Sequence, residues 1–253
     1  MSAGSAAATA PGTSARPLLE VAHASRAFGG IHAVEDVSFT VAPGAVTGLI
    51  GPNGAGKTTV FNLLSGIDRP DSGRVVFESR RVDGLSASRV TRLGVGRTFQ
   101  GVRVFGDMSV RENLRVADMN GARGGTPGAA TRIAEALDFV DMAAHVEATA
   151  GLLSYGQRKL VELAMVLVQA PKLILLDEPV AGVNPVLVEK IGGILAKLAQ
   201  RGQTLLVVEH NIPFVTRLCD RVIVMANGSI LTEGSAAEVQ KDARVLEAFL
   251  GGQ

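Results

Sequence analysis

Residues 51–59 combine the residue types that bind phosphate. They read GPNGAGKTT and match the pattern G-x4-G-K-[ST]. Glycines let backbone N–H groups turn toward phosphate oxygens, the lysine adds a positive charge, and the threonine hydroxyl can ligate Mg²⁺. The preceding VTGLI predicts a strand and the following residues a helix, which is the context that such a loop needs. A chance glycine-rich turn is the alternative. We predict a nucleotide-phosphate loop made of Gly51, Pro52, Asn53, Gly54, Ala55, Gly56, Lys57, Thr58 and Thr59.

Polar side chains also follow two apolar runs. LILLDEP ends in Asp177 and Glu178, and TLLVVEHN ends in Glu209 and His210. Ligands bind at the carboxyl ends of parallel strands. One acid there can support a Mg²⁺ shell, a second can deprotonate water, and a neutral imidazole can hydrogen-bond a phosphate or that water. A solvated strand end and a surface histidine are the alternatives.

A third candidate site is the start of a helix. LSYGQ stands at 153–157, before the helical run RKLVELAMVLV. Ser154 is a good N-cap, and capping alone would explain it. Gly156 in the first turn costs about 1 kcal/mol relative to alanine, which suggests that something approaches the backbone closely. A helix N-terminus of this kind binds anions. A second anion site in one chain suggests a composite site shared between two protomers.

The elements that must position these residues follow from hydrophobic patterning. Helices are predicted over 57–65 and over 185–201, the latter between Pro185 and Gly202. Residues 101–162 show helical periodicity without a convincing strand, and one apolar face recurs at Ile133, Ala136, Leu137 and Val140. The pattern predicts an α/β core with a helical insertion. Strands are predicted near 18–23, 35–42, 46–50, 74–78, 173–177, 204–209, 221–226 and 229–233.

Composition agrees with a buried parallel sheet. The 253 residues are 47% hydrophobic but only 4% aromatic, with 30 glycines, so the apolar mass is aliphatic. A net charge of +1 gives no field for nucleic acid, so no nucleic-acid partner is expected. The single cysteine, Cys219, excludes an internal disulfide and fits a reducing compartment. Mean hydropathy is +0.27, yet no long apolar stretch predicts a membrane span.

The ordered set GPNGAGKTT, Gln100, LSYGQ, LILLDEP and His210 resembles the ATP-binding subunit of ABC transporters, from about residue 17 to about residue 250. The resemblance implies an α/β fold with a P-loop NTPase core, whose RecA-like sheet is mainly parallel. An antiparallel β subdomain and an inserted α-helical subdomain complete the ABC ATPase fold. It also implies ATP hydrolysis with ATP and Mg²⁺ as ligands.

The same resemblance implies a role for each matching residue. Phe28 looks like the residue that stacks on adenine, and Lys57 like the phosphate-binding lysine. Thr58, Gln100 and Asp177 would serve the Mg²⁺ shell, and Gln100 would also sense the membrane subunit. Glu178 would be the general base and His210 the switch histidine. The residues that would contact the nucleotide of a partner protomer are Ser154, Gly156 and Gln157.

The resemblance also divides the chain. Residues 1–16 are predicted to be a disordered leader and 17–100 the first part of the ATP-binding core. The helical signature subdomain is expected over 101–162, and the second part of the core over 163–253.

Details narrow the resemblance to one branch. Tyr155 stands where the signature usually has glycine, and Asn184 stands where aspartate is usual. Both departures resemble the branch of the family that serves branched-chain amino acid uptake. Two further segments are similar to the same branch, GRTFQGVRVFGDMSVRENL and EAFLGG. Within it, the chain is similar to the larger of two paired ATPases. Integral-membrane permeases, a second ATP-binding subunit (homo- or heterodimeric) and an extracytoplasmic solute-binding protein are the implied partners. The implied location is the cytoplasmic face of the cell membrane.

Other functions remain open from the residues. A non-transport ABC ATPase would usually carry long coiled coils or two cassettes, whereas this chain has one phosphate loop. A P-loop metabolite kinase would leave LSYGQ and His210 without roles. Importers for urea, amides or aromatic acids read similarly to this sequence, so the solute stays open.

Overall fold

The computed structural model of the chain describes residues 16–122, 124 and 126–250. Two sheets form its framework, and helices cover or extend them. The ten strands of the described part are β1 (Leu19–Phe28), β2 (Ile31–Val41), β3 (Val46–Ile50), β4 (Ser72–Phe77), β5 (Arg80–Arg81), β6 (Val95–Arg97), β7 (Leu173–Asp177), β8 (Thr204–Val208), β9 (Arg221–Ala226) and β10 (Ser229–Gly234). The predicted leader lies outside the described residues except for Arg16.

The helices of the described part follow the strands or fill the insertion. They are α1 (Lys57–Leu64), α2 (Ala87–Leu93), α3 (Val110–Asn120), α4 (Ala129–Phe139), α5 (Tyr155–Leu167), α6 (Pro185–Gln200), α7 (Ile212–Leu218), α8 (Ala236–Val239) and α9 (Ala243–Leu250). Within the described ranges, every helix is too short or too polar to cross a lipid bilayer.

The larger sheet has the strand order β10-β9-β3-β8-β7-β6. All of its neighbours run parallel except β10, which pairs antiparallel with β9. The smaller sheet has the order β2-β1-β4-β5 and is antiparallel. The predicted fold class, a mainly parallel core with an antiparallel β subdomain and a helical insertion, is confirmed.

The larger sheet separates two hydrophobic cores, and its alternating side chains fill both. Along β7, Leu173 and Leu175 face the core shared with the smaller sheet and α1. Ile174 and Leu176 face the opposite core, which the insertion helices and α6 complete. Strands covered on both faces in this way read as continuous apolar runs, which is why these strands were predictable.

The insertion consists of α3, α4 and α5, which pack against one another. α3 begins at a capping box in which Ser109 and Glu112 satisfy each other's backbone N–H groups. α5 continues past the predicted border at residue 162 to Leu167 and also packs against β6. The division of the chain into subdomains stays a prediction.

One close approach inside the core involves the only cysteine. A Cβ on Gly48 of β3 would lie 3.1 Å from Val215 and 3.2 Å from the Sγ atom of Cys219, so α7 packs directly on this glycine. Burial raises the pKa of the Cys219 thiol to about 12.

Candidate functional site

The phosphate loop connects β3 to α1 and depends on left-handed glycines. Gly54 has φ 80° and Gly56 has φ 97°, conformations that L side chains rarely adopt. A Cβ on Gly51 would overlap the carbonyl oxygen of Met225, and one on Gly56 would overlap that of Ala33. These glycines therefore bring the loop into contact with neighbouring backbone, and no larger residue fits at Gly51 or Gly56.

Lys57 is the first residue of α1, and its ammonium group lies over the loop. Its Nζ donates to the carbonyl oxygens of Gly51 at 2.7 Å and Pro52 at 2.8 Å. Burial lowers the pKa of Lys57, while the charges of Glu178 and Asp177 oppose that shift. The site thus places one partly desolvated cation between a phosphate loop and two carboxylates.

A cavity of about 330 Å³ lies in front of the loop. The phosphate loop lines it together with Gln100, which lies on the segment after β6, and Glu178, which directly follows β7. These two loops and the phosphate loop, remote in sequence, therefore face one space. Its lining residues are Ala33, Asn53, Gly54, Ala55, Gly56, Lys57, Thr58, Thr59, Gln100 and Glu178.

Asp177 is the last residue of β7 and is held by a buried arginine. Arg97 Nη2 donates to Asp177 Oδ2 at 3.1 Å, and both side chains are almost fully buried. Arg97 Nη1 also donates to Oδ1 of Asn62 on α1 and to Oγ of Ser65, the residue that caps the end of α1, each at 2.8 Å. Burial raises the pKa of Asp177, and Arg97 opposes that shift by stabilising the carboxylate. Arg97 therefore ties the acid to the helix that follows the phosphate loop.

Glu178 stands at the centre of the polar groups. Its backbone is left-handed, with φ 49°, so the chain turns sharply where β7 ends. Gln100 Nε2 donates to Glu178 Oε2 at 3.1 Å, and His210 Nδ1 lies 3.7 Å from Oε1. The side chain of His210 is 61% exposed and that of Glu178 only 17%. The structure thus brings Gln100, Glu178 and His210 together, and their roles stay predictions.

The predicted serine-led site forms a separate surface that does not line the cavity. Ser154 caps α5 through a capping box with Gln157, whose Nε2 also lies 2.9 Å from His145 Nε2. A Cβ on Gly156 would overlap Leu187 of α6. The close approach expected at Gly156 is therefore made, in this chain, by an apolar side chain. The role of these residues in anion binding stays a prediction.

Phe28 likewise lies apart from the cavity. It ends β1, is 43% exposed, and has the guanidinium of Arg26 at 4.6 Å from its ring centre. Because the ring is accessible, it can take a stacking partner, and its proposed role with adenine stays a prediction.

Buried charged residues to which the sequence assigned no role support the site from behind. Glu209 is 1% exposed. Its carboxylate accepts the N–H of Val180 at 3.0 Å and those of His210 and Asn211 at 3.1 and 3.3 Å. It thus fastens the loop after Glu178 to the loop that carries His210. The sequence feature that could have identified Glu209 is its place beside His210 at the end of an apolar run.

Two more such residues lie on α5. Lys159 and Glu162 are 7% and 6% exposed. Burial lowers the pKa of Lys159 and raises that of Glu162 to about 7. Their signal was a lysine and a glutamate three residues apart, which interrupt the apolar residues that make up most of α5 after Arg158.

Comparisons with known proteins agree with this geometry. A family model described as ABC transporter matches residues 34–181. The high-affinity branched-chain amino acid transport ATP-binding protein LivG of Escherichia coli strain K12 is 36% identical over 251 residues, which covers 93% of this chain and 98% of LivG.

Solved structures give the same result. The ADP conformation of an ATP-binding cassette of an ABC transporter superposes with a TM-score of 0.84 at 31% identity, covering 94% of this chain and 100% of that one. A dimeric bacterial ABC transporter cassette superposes with a TM-score of 0.78 at 25% identity, covering 86% of this chain and 98% of that one.

Proposed function

The chain belongs to the ABC transporter family, and on this premise we propose that it is the ATP-hydrolysing motor subunit of an importer. The observation that carries the proposal is the single cavity onto which the phosphate loop, Gln100 and Glu178 converge. A phosphate-binding cation, an amide and a carboxylate around one space are the groups that hydrolysis of a nucleoside triphosphate requires.

The nucleotide is bound by the phosphate loop. The backbone N–H groups of residues 51–59 and the ammonium group of Lys57 hold its phosphates. Phe28 stacks on the adenine. We assign Ser154, Gly156 and Gln157 to the nucleotide of a second protomer, so that each active site is completed by the partner's α5. The likeness to a dimeric cassette supports this assignment.

The oxygen atoms near Lys57 suit Mg²⁺. Thr58 and Gln100 line the cavity, and Asp177 ends the neighbouring strand. Hydroxyl, amide and carboxylate oxygens are the hard ligands that Mg²⁺ prefers, and one or two carboxylates suffice because the ion keeps several waters. Arg97 donates to Oδ2 of Asp177, and this carboxylate would support the hydration shell of the ion. The ion supplies charge neutralisation at the phosphates when bound.

Glu178 is the general base. Its carboxylate is poised by Gln100 on one oxygen and His210 near the other, so a water held there can lose its proton to Glu178 as it attacks the terminal phosphate. His210 orients that water or the phosphate. Since Gln100 lies at the entry to the helical insertion, its contact with Glu178 can pass the state of the site to α3 and α5.

Membership of the family and the likeness to LivG support the proposed partners. ATP-driven closure of two protomers would move separate integral-membrane permease subunits, with this chain bound peripherally at the cytoplasmic face of the membrane. The second ATP-binding subunit is a copy or a paralogue, and an extracytoplasmic solute-binding protein delivers the solute. The 36% identity to LivG supports branched-chain amino acids as that solute. The helical part over 101–162 is the proposed contact to the permease.

Hydrolysis is tested with Glu178→Gln. The amide cannot take a proton from water, so this variant should bind ATP as tightly as wild type, release little phosphate and accumulate as a nucleotide-bound dimer in gel filtration. Lys57→Ala is the matched control, since it should lose nucleotide binding itself. Full turnover by Glu178→Gln would remove Glu178 as the base.

The solute is tested in cells and in membranes. Co-purification from solubilised membranes should recover the permease subunits, and deletion of the gene for this chain should abolish uptake of labelled leucine, isoleucine and valine. Loss of uptake of urea, an amide or an aromatic acid, with uptake of these three unchanged, would replace the proposed solute.

A further inference from the structure

Helix α5 contacts both catalytic loops of its own chain through two buried charges. Lys159 Nζ donates to the backbone oxygen of Glu178 at 2.9 Å and to that of Pro179 at 3.3 Å. The ammonium group therefore holds the left-handed turn that aims the Glu178 side chain at the cavity. None of the motif residues makes this contact.

Glu162, one turn further along α5, holds the other loop. A single carboxylate oxygen, Oε1, accepts the N–H of Phe99 at 3.4 Å and the N–H of Arg103 at 3.3 Å. These two amides lie on either side of Gln100, so the carboxylate fixes the backbone from which the Gln100 side chain reaches Glu178. An orphaned buried N–H is costly, which makes such a contact hard to give up.

We propose that Lys159 and Glu162 are positioning residues that brace the Gln100 and Glu178 loops against α5. The inference rests on the proposed function, because it gives that function's catalytic loops their support. The same helix begins at Ser154, which the proposed function assigns to the partner's nucleotide. A displacement of α5 at one composite site would then move the base and the glutamine of the other site.

The atoms involved suggest the decisive variants. Since one oxygen accepts both N–H groups, the amide of Glu162→Gln retains the required acceptor without the charge. Glu162→Asp retains the charge, but its side chain is one methylene shorter, so the oxygen lies farther from the two N–H groups. Glu162→Ala removes the acceptor oxygen. Asp118→Asn is a matched control, because Asp118 is an equally buried carboxylate of the insertion, paired with Arg132 at 2.7 Å away from the cavity.

The assay is ATP hydrolysis by the full chain in the complex purified with it, together with the Kd of a fluorescent ATP analogue. We expect Glu162→Ala to lower kcat by roughly tenfold or more and Glu162→Asp by a few-fold, with Kd and KM within about twofold of wild type. Glu162→Gln should retain at least about half of kcat, and Asp118→Asn should retain kcat. Lys159→Met should lower kcat like Glu162→Ala, because it frees the Glu178 turn.

Amide hydrogen exchange gives a second readout that does not need turnover. Peptides that contain Phe99 and Arg103 should exchange faster in Glu162→Ala and Glu162→Asp, but at the wild-type rate in Glu162→Gln and Asp118→Asn. If Glu162→Ala does not fold, the Asp and Gln variants decide the question between them.

The outcomes separate the two levels of inference. Suppose that the wild-type complex hydrolyses ATP and that this activity depends on Lys57. If kcat is then unchanged in Glu162→Ala or in Glu162→Asp, or if kcat falls as far in Glu162→Gln as in Glu162→Ala, the positioning role of Glu162 is overturned and the proposed function stands. A rise in Kd as large as the fall in kcat would also overturn the positioning role. A wild-type complex without Lys57-dependent hydrolysis would overturn the proposed function, and the brace with it.

Discussion

Replacing Glu162 by glutamine should change how the stability of the chain depends on pH. Burial raises the pKa of Glu162 from 4.5 to about 7, so the folded chain keeps a proton that the unfolded chain releases. This group therefore contributes fully to the free energy of unfolding below pH 4.5, and the contribution is lost as pH rises through about 7. Glutamine cannot ionise, so the variant escapes this loss.

The size of the effect follows from the change in pKa. The rise from 4.5 to about 7 corresponds to about 3 kcal/mol at about 1.4 kcal/mol per pH unit. Most of that loss falls between about pH 5 and about pH 8, where the stability of Glu162→Gln relative to wild type should increase by roughly 2–3 kcal/mol. The variant should thus gain stability relative to wild type as the solution becomes mildly alkaline.

Urea denaturation at a series of pH values measures the difference directly, because each variant is compared with wild type in the same buffer. Glu189→Gln is a suitable control, since the hydrogen bond from Arg217 lowers the pKa of Glu189 and moves its titration below this window. A stability difference between Glu162→Gln and wild type that stays constant from about pH 5 to about pH 8 would refute the reasoning.

Three further predictions concern the site itself. Lys57→Ala should lose high-affinity ATP binding because it removes the ammonium group that lines the cavity, and an unchanged Kd for the nucleotide would contradict the assigned loop. Arg97→Met should destabilise the chain by about 3–5 kcal/mol in urea denaturation, because it leaves Asp177 buried without its partner; a loss below about 1 kcal/mol would contradict that account. By itself, Ser154→Arg should abolish ATPase activity. Mixing it with Lys57→Ala should restore part of the activity, because one composite site of the mixed dimer carries neither substitution. Mixed dimers that form but show no activity would exclude independent shared sites.

The central strands of the fold were predictable because they are buried on both faces. The runs at β3, β7, β8 and β9 are almost wholly apolar and bounded by turn residues, and the structure places each within a residue of its predicted bounds. β6 was not predicted, because it is a three-residue strand that pairs with β7 at the edge of the larger sheet and is too short to show a pattern.

The first hairpin was only half predicted. The structure extends β1 to Phe28 and begins β2 at Ile31, beyond the predicted ends at 23 and before the predicted start at 35. The residues that the structure adds to β1 and β2 are largely polar or exposed. Their sequence therefore shows neither an apolar run nor the alternation that predicts a strand. These added residues are held in the strands by backbone pairing between β1 and β2. Side-chain types do not show how strong such pairing is.

Residues of the candidate site divide in the same way. Lys57, Glu178 and His210 were identified because each belongs to a contiguous motif at the end of an apolar run. Arg97 and Lys159 were not identified, because their partners lie about twenty to eighty positions away in the sequence. The partners of Lys159 are moreover backbone oxygens, which every residue has and which no residue type marks in a sequence. Such contacts depend on the packing of α5 and β6 beside β7.

The burial of Cys219 makes the chain convenient for site-specific labelling. The thiol of Cys219 is buried at the C-terminal end of α7, and burial raises its pKa to about 12, so it stays protonated at neutral pH. The thiolate is the form that reacts with maleimides and similar dyes. The native chain should therefore take up no label while folded. One introduced cysteine would carry the only dye, and Leu152, which is 87% exposed just before Ser154, is a suitable position for it. Fluorescence from that position could follow the approach of two protomers in real time, without first removing a native thiol.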